Sequence, residues 1–161
     1  MKNILIVYYS RSGFTKQLAQ ELAVHLHADL EEIIDKKDRS GALGYLFSGR
    51  DALKEKTTEI QKITRQPDNY QLVVIATPVW AFKCSTPILT FIKKFGQNCG
   101  RVAFVATQGS SGADGAFQQM SGQLKQTPIA TLIVNSKEIS QNKYQDKTKI
   151  FANKIKASLN F

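Results

Sequence analysis

The stretch Ile4-Leu5-Ile6-Val7-Tyr8-Tyr9-Ser10-Arg11-Ser12-Gly13-Phe14-Thr15 decides the fold. Its first half is a continuous apolar run rich in β-branched and aromatic residues, as in a strand covered on both faces. Its second half is hydroxyls and a glycine. Directly behind it Leu18, Leu22 and Leu26 recur at helical spacing, with Ala19 and Ala23 beside them. A strand, a tight polar loop and a helix form the opening unit of a doubly wound α/β sheet.

The same rhythm runs to the end of the chain. Residues 72–76, 102–106 and 129–134 read as buried strands, and 30–34 as a weaker one. Helical patterns cover 15–27, 86–95, 114–125 and 143–159. Thr86-Pro87 suits a helix start and Gly96 a stop. The expected architecture is one α/β domain over 1–161, a five-stranded parallel sheet in the order 2-1-3-4-5 with helices on both faces. In such sheets ligands sit at the carboxyl ends of the strands, near the switch in strand order. The loops after the first, third and fourth strands are therefore the places for chemistry.

Residues 35–69 interrupt the rhythm as an elaborated crossover. A charged loop at 35–41 precedes a helical stretch, 42–56, expected to be interrupted at Gly44 and Gly49. Leu43, Tyr45, Leu46 and Phe47 form an apolar cluster that needs cover. An ordinary crossover, a lid or a homodimer contact all answer that need.

Composition narrows the classes. In 161 residues, 42% are hydrophobic and 22% charged, which excludes disorder and fibrous repeats. No window approaches a membrane span, and no signal-peptide pattern opens the chain, so a cytoplasmic setting is expected. Cys84 and Cys99 make no disulfide framework and no zinc cluster. The formal charge is +9, and it is lopsided. Residues 1–80 hold 11 basic and 10 acidic side chains, residues 81–161 hold 11 and 3. These basic residues are dispersed along helices without interleaved aromatics, so solvated faces or steering of an acidic partner are expected rather than nucleic-acid binding.

The loop 10–15 offers a helix N-terminus, hydroxyls and a flexible glycine, which together suit a phosphate. The bland alternative is N-capping by Ser12 or Thr15. No Gly-Lys-Ser/Thr ending and no GxGxxG is present, so the loop suits a terminal monophosphate rather than a nucleoside triphosphate or dinucleotide. After the third strand, the chain's single tryptophan, Trp80, sits between Pro78 and Phe82. It serves either as a flat wall for an aromatic ligand or as a cap on the core. After the fourth strand, Thr107-Gln108-Gly109-Ser110-Ser111-Gly112 offers backbone and hydroxyl groups to a polar heterocycle, or a turn capped by Ser111 or Asp114.

These three loops resemble those of the flavodoxin and flavodoxin-like FMN-binding family, short-chain type. Residues 9–15 are similar to the family's T/S-x-S/T-G-x-T phosphate loop. The resemblance implies FMN as cofactor, with Ser10, Arg11, Ser12, Gly13, Phe14 and Thr15 at the phosphate. It implies Pro78, Val79, Trp80, Ala81 and Phe82 beside the isoalloxazine, and Thr107, Gln108, Gly109, Ser110 and Gly112 along its pyrimidine side. Three features depart from the family's electron carriers. The third loop has no aromatic to cover the flavin, Trp80-Ala81 lacks the glycine expected beside N5, and the chain is basic. A positive φ would cost more at Ala81 than at glycine.

The resulting expectation is an FMN-dependent oxidoreductase moving electrons or hydride through N5 to or from a nicotinamide, quinone or similar small molecule. The alternative is a one-electron carrier docking to a redox protein. His25 and His27 fall in or at the end of the first helix, and no Ser/His/Asp set or metal-ligand cluster appears. No catalytic side chain and no metal site is assigned.

Overall fold

A computed structural model describes residues 3–160. In chain order the elements are β1 (Ile4–Tyr8), α1 (Phe14–Leu26), β2 (Asp29–Glu32), α2 (Gly41–Leu53), β3 (Leu72–Trp80), β4 (Lys83–Cys84), α3 (Thr86–Phe95), β5 (Arg101–Gln108), α4 (Ala113–Leu124), β6 (Thr131–Asn135), α5 (Ser136–Ser140) and α6 (Gln145–Leu159). The main sheet runs β2-β1-β3-β5-β6, all parallel, and β4 pairs antiparallel with β3.

Strand alternation divides the core in two. Leu5, Val7, Val73, Ile75, Val102 and Phe104 face the layer holding α3 and α4. Ile4, Ile6, Leu72, Val74, Ala103 and Val105 face α1 and α6. Both sides of every central strand are buried, which is why these runs are continuous rather than alternating. In α6, Phe151, Ala152 and Ile155 are buried while Lys147, Lys149 and Lys154 are exposed. Among the described residues no helix is long and apolar enough to cross a membrane.

The five-stranded order is as read from the sequence, with two departures near the third strand and the crossover. The segment 76–82 is not a loop: β3 continues to Trp80 and turns back as β4. Trp80 pairs with Lys83 across a two-residue turn, Ala81-Phe82, whose φ values are 49° and 65°. Two positive φ angles are the pattern of a type I′ turn, usually met with Asn-Gly. Ala81 therefore does adopt the backbone region expected to be costly for it. The turn packs closely on the start of α4: a Cβ at Gly115 would lie 2.6 Å from the Phe82 carbonyl oxygen, and one at Gly112 2.9 Å from Val79 Cγ1.

Nor is the crossover helix interrupted at Gly44 or Gly49; α2 runs through both. Its buried stripe is Gly44, Ser48, Asp51 and Ala52, at helical spacing. Gly44 is there for close approach, because a Cβ would stand 2.2 Å from the carbonyl oxygen of Arg39. The large apolar residues point outward, with Leu43, Tyr45, Leu46 and Leu53 more than 60% exposed. α2 is thus amphipathic in the reverse sense, small side chains in and large ones out.

Candidate functional site

The loops after β1 and β5 and the end of β3 meet at one cleft of about 230 Å³. Arg11, Ser12 and Phe14 come from the first loop, Pro78, Val79 and Trp80 from the end of β3, and Thr107, Gln108 and Gly109 from the third loop. A larger cavity of about 490 Å³ lies beside it, but borders only the first of these loops together with residues 32–41. Convergence of three strand ends, not volume, marks the smaller cleft as the candidate site.

The first loop is shaped by its own backbone. Gly13 takes the N-cap position of α1 at φ 97°, where a side chain would be strained. Its N–H donates to Ser10 Oγ (3.0 Å). Neither Ser12 nor Thr15 caps the helix, since α1 has no side-chain cap, and its first turn carries no acidic residue. The N-terminal amides of α1 thus have no side-chain cap, an arrangement that favours an anion, and Ser12 is exposed beside them. Thr15 turns inward. It is 2% exposed, and its hydroxyl shares a 2.7 Å hydrogen bond with Thr107, tying the first loop to the third.

Arg11 does more than face solvent. Its Nε donates to the carbonyl of Arg39 (2.8 Å), a second nitrogen donates to that of Gly41 (2.9 Å), and it lies over the Tyr45 ring. It straps the crossover to the phosphate-type loop. Tyr45 consequently borders the cleft, an aromatic contributed by α2 rather than by the third loop. Sequence reading placed Tyr45 only in an apolar cluster. The signal that it borders the site is three-dimensional, as it is for Ser136 of α5, the other lining residue missed.

Trp80 is fixed from two directions. Tyr9 meets its ring edge-on at 5.5 Å and 88°, and the Arg39 guanidinium lies 5.4 Å from its centroid. Arg39 is itself buried, paired with Asp35 (2.6 Å) and Asp51 (3.2 Å). Burial pushes the Tyr9 hydroxyl up to about 12, with Asp35 adding to the effect, so it stays neutral at ordinary pH. Burial alone would raise the Asp51 carboxyl, but hydrogen bonds and charge from Lys37 and Arg39 together hold it below the usual carboxylate range. A folded value below the unfolded one means that Asp51 stabilises fully above pH ~4 and loses that contribution as the pH falls. Melting temperature measured from pH 7 to pH 3 should fall, with a shallower fall in Asp51→Asn.

In the third loop Gln108 is the organiser. Its Oε1 accepts from Ala113 N–H (2.9 Å) and its Nε2 donates to Asn135 Oδ1 (3.0 Å) and the Ser110 carbonyl (3.3 Å). Gln108, not Ser111 or Asp114, therefore caps the start of α4. Gly112, at φ 106°, is taken up by packing on Val79 and Phe82, and Gly109 and Ser110 are exposed. Ser10, Gly13, Thr15, Ala81, Phe82, Ser110 and Gly112 frame the cleft without lining it. Both cysteines are buried and free, and burial pushes each thiol up to about 12, far from nucleophilic. His25 sits on α1 and His27 at its C-cap. Among the described residues no cluster of His, Cys, Asp or Glu would hold a metal.

Comparisons with known proteins agree with this fold. The family model described as flavodoxin matches residues 3–155. A flavoprotein from Lactobacillus acidophilus, solved in complex with FMN, superposes with a TM-score of 0.71 at 23% identity, over 88% of this chain and 98% of that one. A Fusobacterium nucleatum flavodoxin bound to flavin mononucleotide superposes at 0.65 with 12% identity, over 98% and 99%. At these identities the likeness is one of fold. No curated protein matches the chain.

Proposed function

The chain belongs to the flavodoxin family, and from that premise we propose that it binds FMN in this cleft and acts as an FMN-dependent oxidoreductase. The observation that carries this is the meeting of two loops and the end of β3 at the carboxyl end of the sheet, beside a helix N-terminus with no side-chain cap. The residues fit the group. A phosphate dianion suits a first turn without acidic side chains, next to Ser12 and the guanidinium of Arg11. Trp80, immobilised by Tyr9 and Arg39, suits a flat ring. Gln108, pinned by Ala113 and Asn135, holds the third loop rigid where its backbone would face a heterocycle.

FMN supplies the redox chemistry when bound, taking and giving electrons or hydride at N5. The protein's share is to anchor, orient and shield. The Thr15–Thr107 bond sets the spacing between the phosphate and ring ends of the site. Arg11 and Tyr45 bring α2 alongside, so the cleft is walled by a second aromatic.

A nicotinamide or quinone-like small molecule is the proposed electron donor or acceptor. The second reading is a one-electron carrier for a redox protein, favoured by the exposed Phe82 at the turn beside the cleft. Rapid-mixing reduction of the FMN-loaded protein by NADH or NADPH, with and without a quinone, separates them. Saturable, fast reduction is expected. Slow, non-saturating reduction would favour the carrier.

A further inference from the structure

We propose that the outer face of α5 and α6 docks the protein on an anionic bilayer surface. Residues 136–160 hold six lysines against two carboxylates, Glu138 and Asp146. None of these lysines lines the cofactor cleft or the larger cavity beside it, so their charge has no part in the site already described. Lys147 meets Glu138 at 2.7 Å. Among the described residues Lys137, Lys143, Lys149, Lys154 and Lys156 have no carboxylate within ion-pair distance. The crossover differs: there Lys36 meets Glu59, Lys37 meets Asp51 and Arg39 meets Asp35.

Helical spacing arranges the unanswered charge. Thr148, Phe151, Ala152 and Ile155 turn inward. On the opposite side Lys147 and Lys154, seven residues apart, form one flank, and Lys149 and Lys156 form the other. Between the flanks Ile150 stands 70% exposed, with Asn153 and Ala157 also exposed along the same ridge. Asp146, in the first turn, is the only acidic side chain of α6.

The make-up of this face selects a lipid surface over a protein or a nucleic acid. Protein interfaces gather aromatic side chains and arginine at a desolvated centre and are poor in lysine. Here α5 and α6 carry no arginine, and the aromatics of 136–160, Tyr144 and Phe151, are buried. Stacking on nucleobases fails for the same reason. Anionic headgroups, by contrast, are mobile and can gather at each lysine of a convex face, while Ile150 and the lysine stems enter the shallow interfacial layer. Each lysine near such a surface is worth about fivefold in partition, within a Debye length.

The face begins at the cleft. Ser136 of α5 lines the cleft, and Lys137 follows it directly. Docking therefore holds the cleft's rim near the headgroups, within reach of a membrane-dissolved acceptor of the quinone type. That consequence rests on the FMN oxidoreductase reading; the docking rests on this chain's lysines.

Co-sedimentation of the full chain, with and without saturating FMN, with vesicles of phosphatidylcholine and phosphatidylglycerol at about two to one tests this. At about 50 mM salt these vesicles should be bound at least about 50-fold more tightly than phosphatidylcholine alone, and about 500 mM salt should abolish the difference. Lys149→Glu with Lys154→Glu should cut the binding at least about 20-fold. Lys54→Glu with Lys62→Glu changes the net charge equally in the crossover half and should cost less than about threefold. All four lysines are exposed, so both double variants should keep the parent's melting temperature. Equal losses for the two pairs would overturn the proposal, because net charge alone would then explain the attraction. Equal binding to the two kinds of vesicle would overturn it too. So would tighter binding to polyglutamate or to a DNA duplex at the same salt, since a protein or a nucleic acid would then be the occupant. FMN titration reads the cofactor assignment separately: vesicle binding with no FMN binding would remove that assignment and leave the docking face, and the reverse result would remove the docking face alone.

Discussion

Ser12→Asp is expected to cut FMN affinity by about 100-fold, or about 2.7 kcal/mol, while riboflavin affinity falls less than about threefold. Ser12 is exposed at the mouth of the cleft, so the exchange disturbs no packing. The new carboxylate would lie where the α1 amides favour an anion, and would compete with the phosphate for them. It would also repel a dianion across a few ångströms, an effect that grows as water is excluded. The same charge is compatible with a helix N-terminus, so the cofactor-free protein should show no loss of melting temperature. Paired titrations of the two flavins, with a thermal melt of each variant, give the answer. Equal losses for FMN and riboflavin would mean that the phosphate is held elsewhere.

Gly44→Ala should destabilise the fold by about 3 kcal/mol, or roughly 6–12 °C in melting temperature. Helix propensity alone predicts the opposite sign, a gain of about 1 kcal/mol from replacing a mid-helix glycine. The close approach decides. The added Cβ would stand 2.2 Å from a carbonyl oxygen and 2.3 Å from its carbon, both backbone atoms of Arg39. Neither can rotate away. Either α2 lifts off, or Arg39 moves and disturbs its pairs with Asp35 and Asp51 behind Trp80. Gly49, one turn on, is the internal control. A Cβ there meets nothing within 4 Å, so Gly49→Ala should raise stability by about 0.5–1 kcal/mol. Thermal melts of the two variants should therefore move in opposite directions, and a rise for both would refute the packing role of Gly44. Loss of FMN affinity in Gly44→Ala beyond its loss of stability is expected as well, because α2 carries Tyr45 to the cleft.

Much of the candidate cleft's lining was readable because its ingredients are local. A strand end, a hydroxyl-rich loop and a helix start lie within 4–15, and each loop announces itself by the apolar run before it. What could not be read there is where side chains from other segments arrive. Arg11 reads as a phosphate ligand; its observed partners are carbonyls of residues 39 and 41. Thr15 reads as a loop hydroxyl, and its partner stands 92 positions away. Gly44 reads as a helix breaker until Arg39 is placed against it. The segment 76–82 reads as a loop because Thr77-Pro78 breaks the apolar run, whereas pairing with Lys83 and Cys84 makes it a hairpin.

The chain's own order of residues determined the α/β class, the strand order and the loops after the first and fourth strands of the main sheet, because hydrophobic period and turn chemistry act over a few residues. Only the tertiary structure decided how the crossover is used. Strand alternation tells which residues must be buried, but α2 buries small residues and leaves large ones outside. That choice depends on the Arg39 backbone, the Arg11 strap and the buried carboxylates. They come from separate parts of the chain, and only folding brings them into contact.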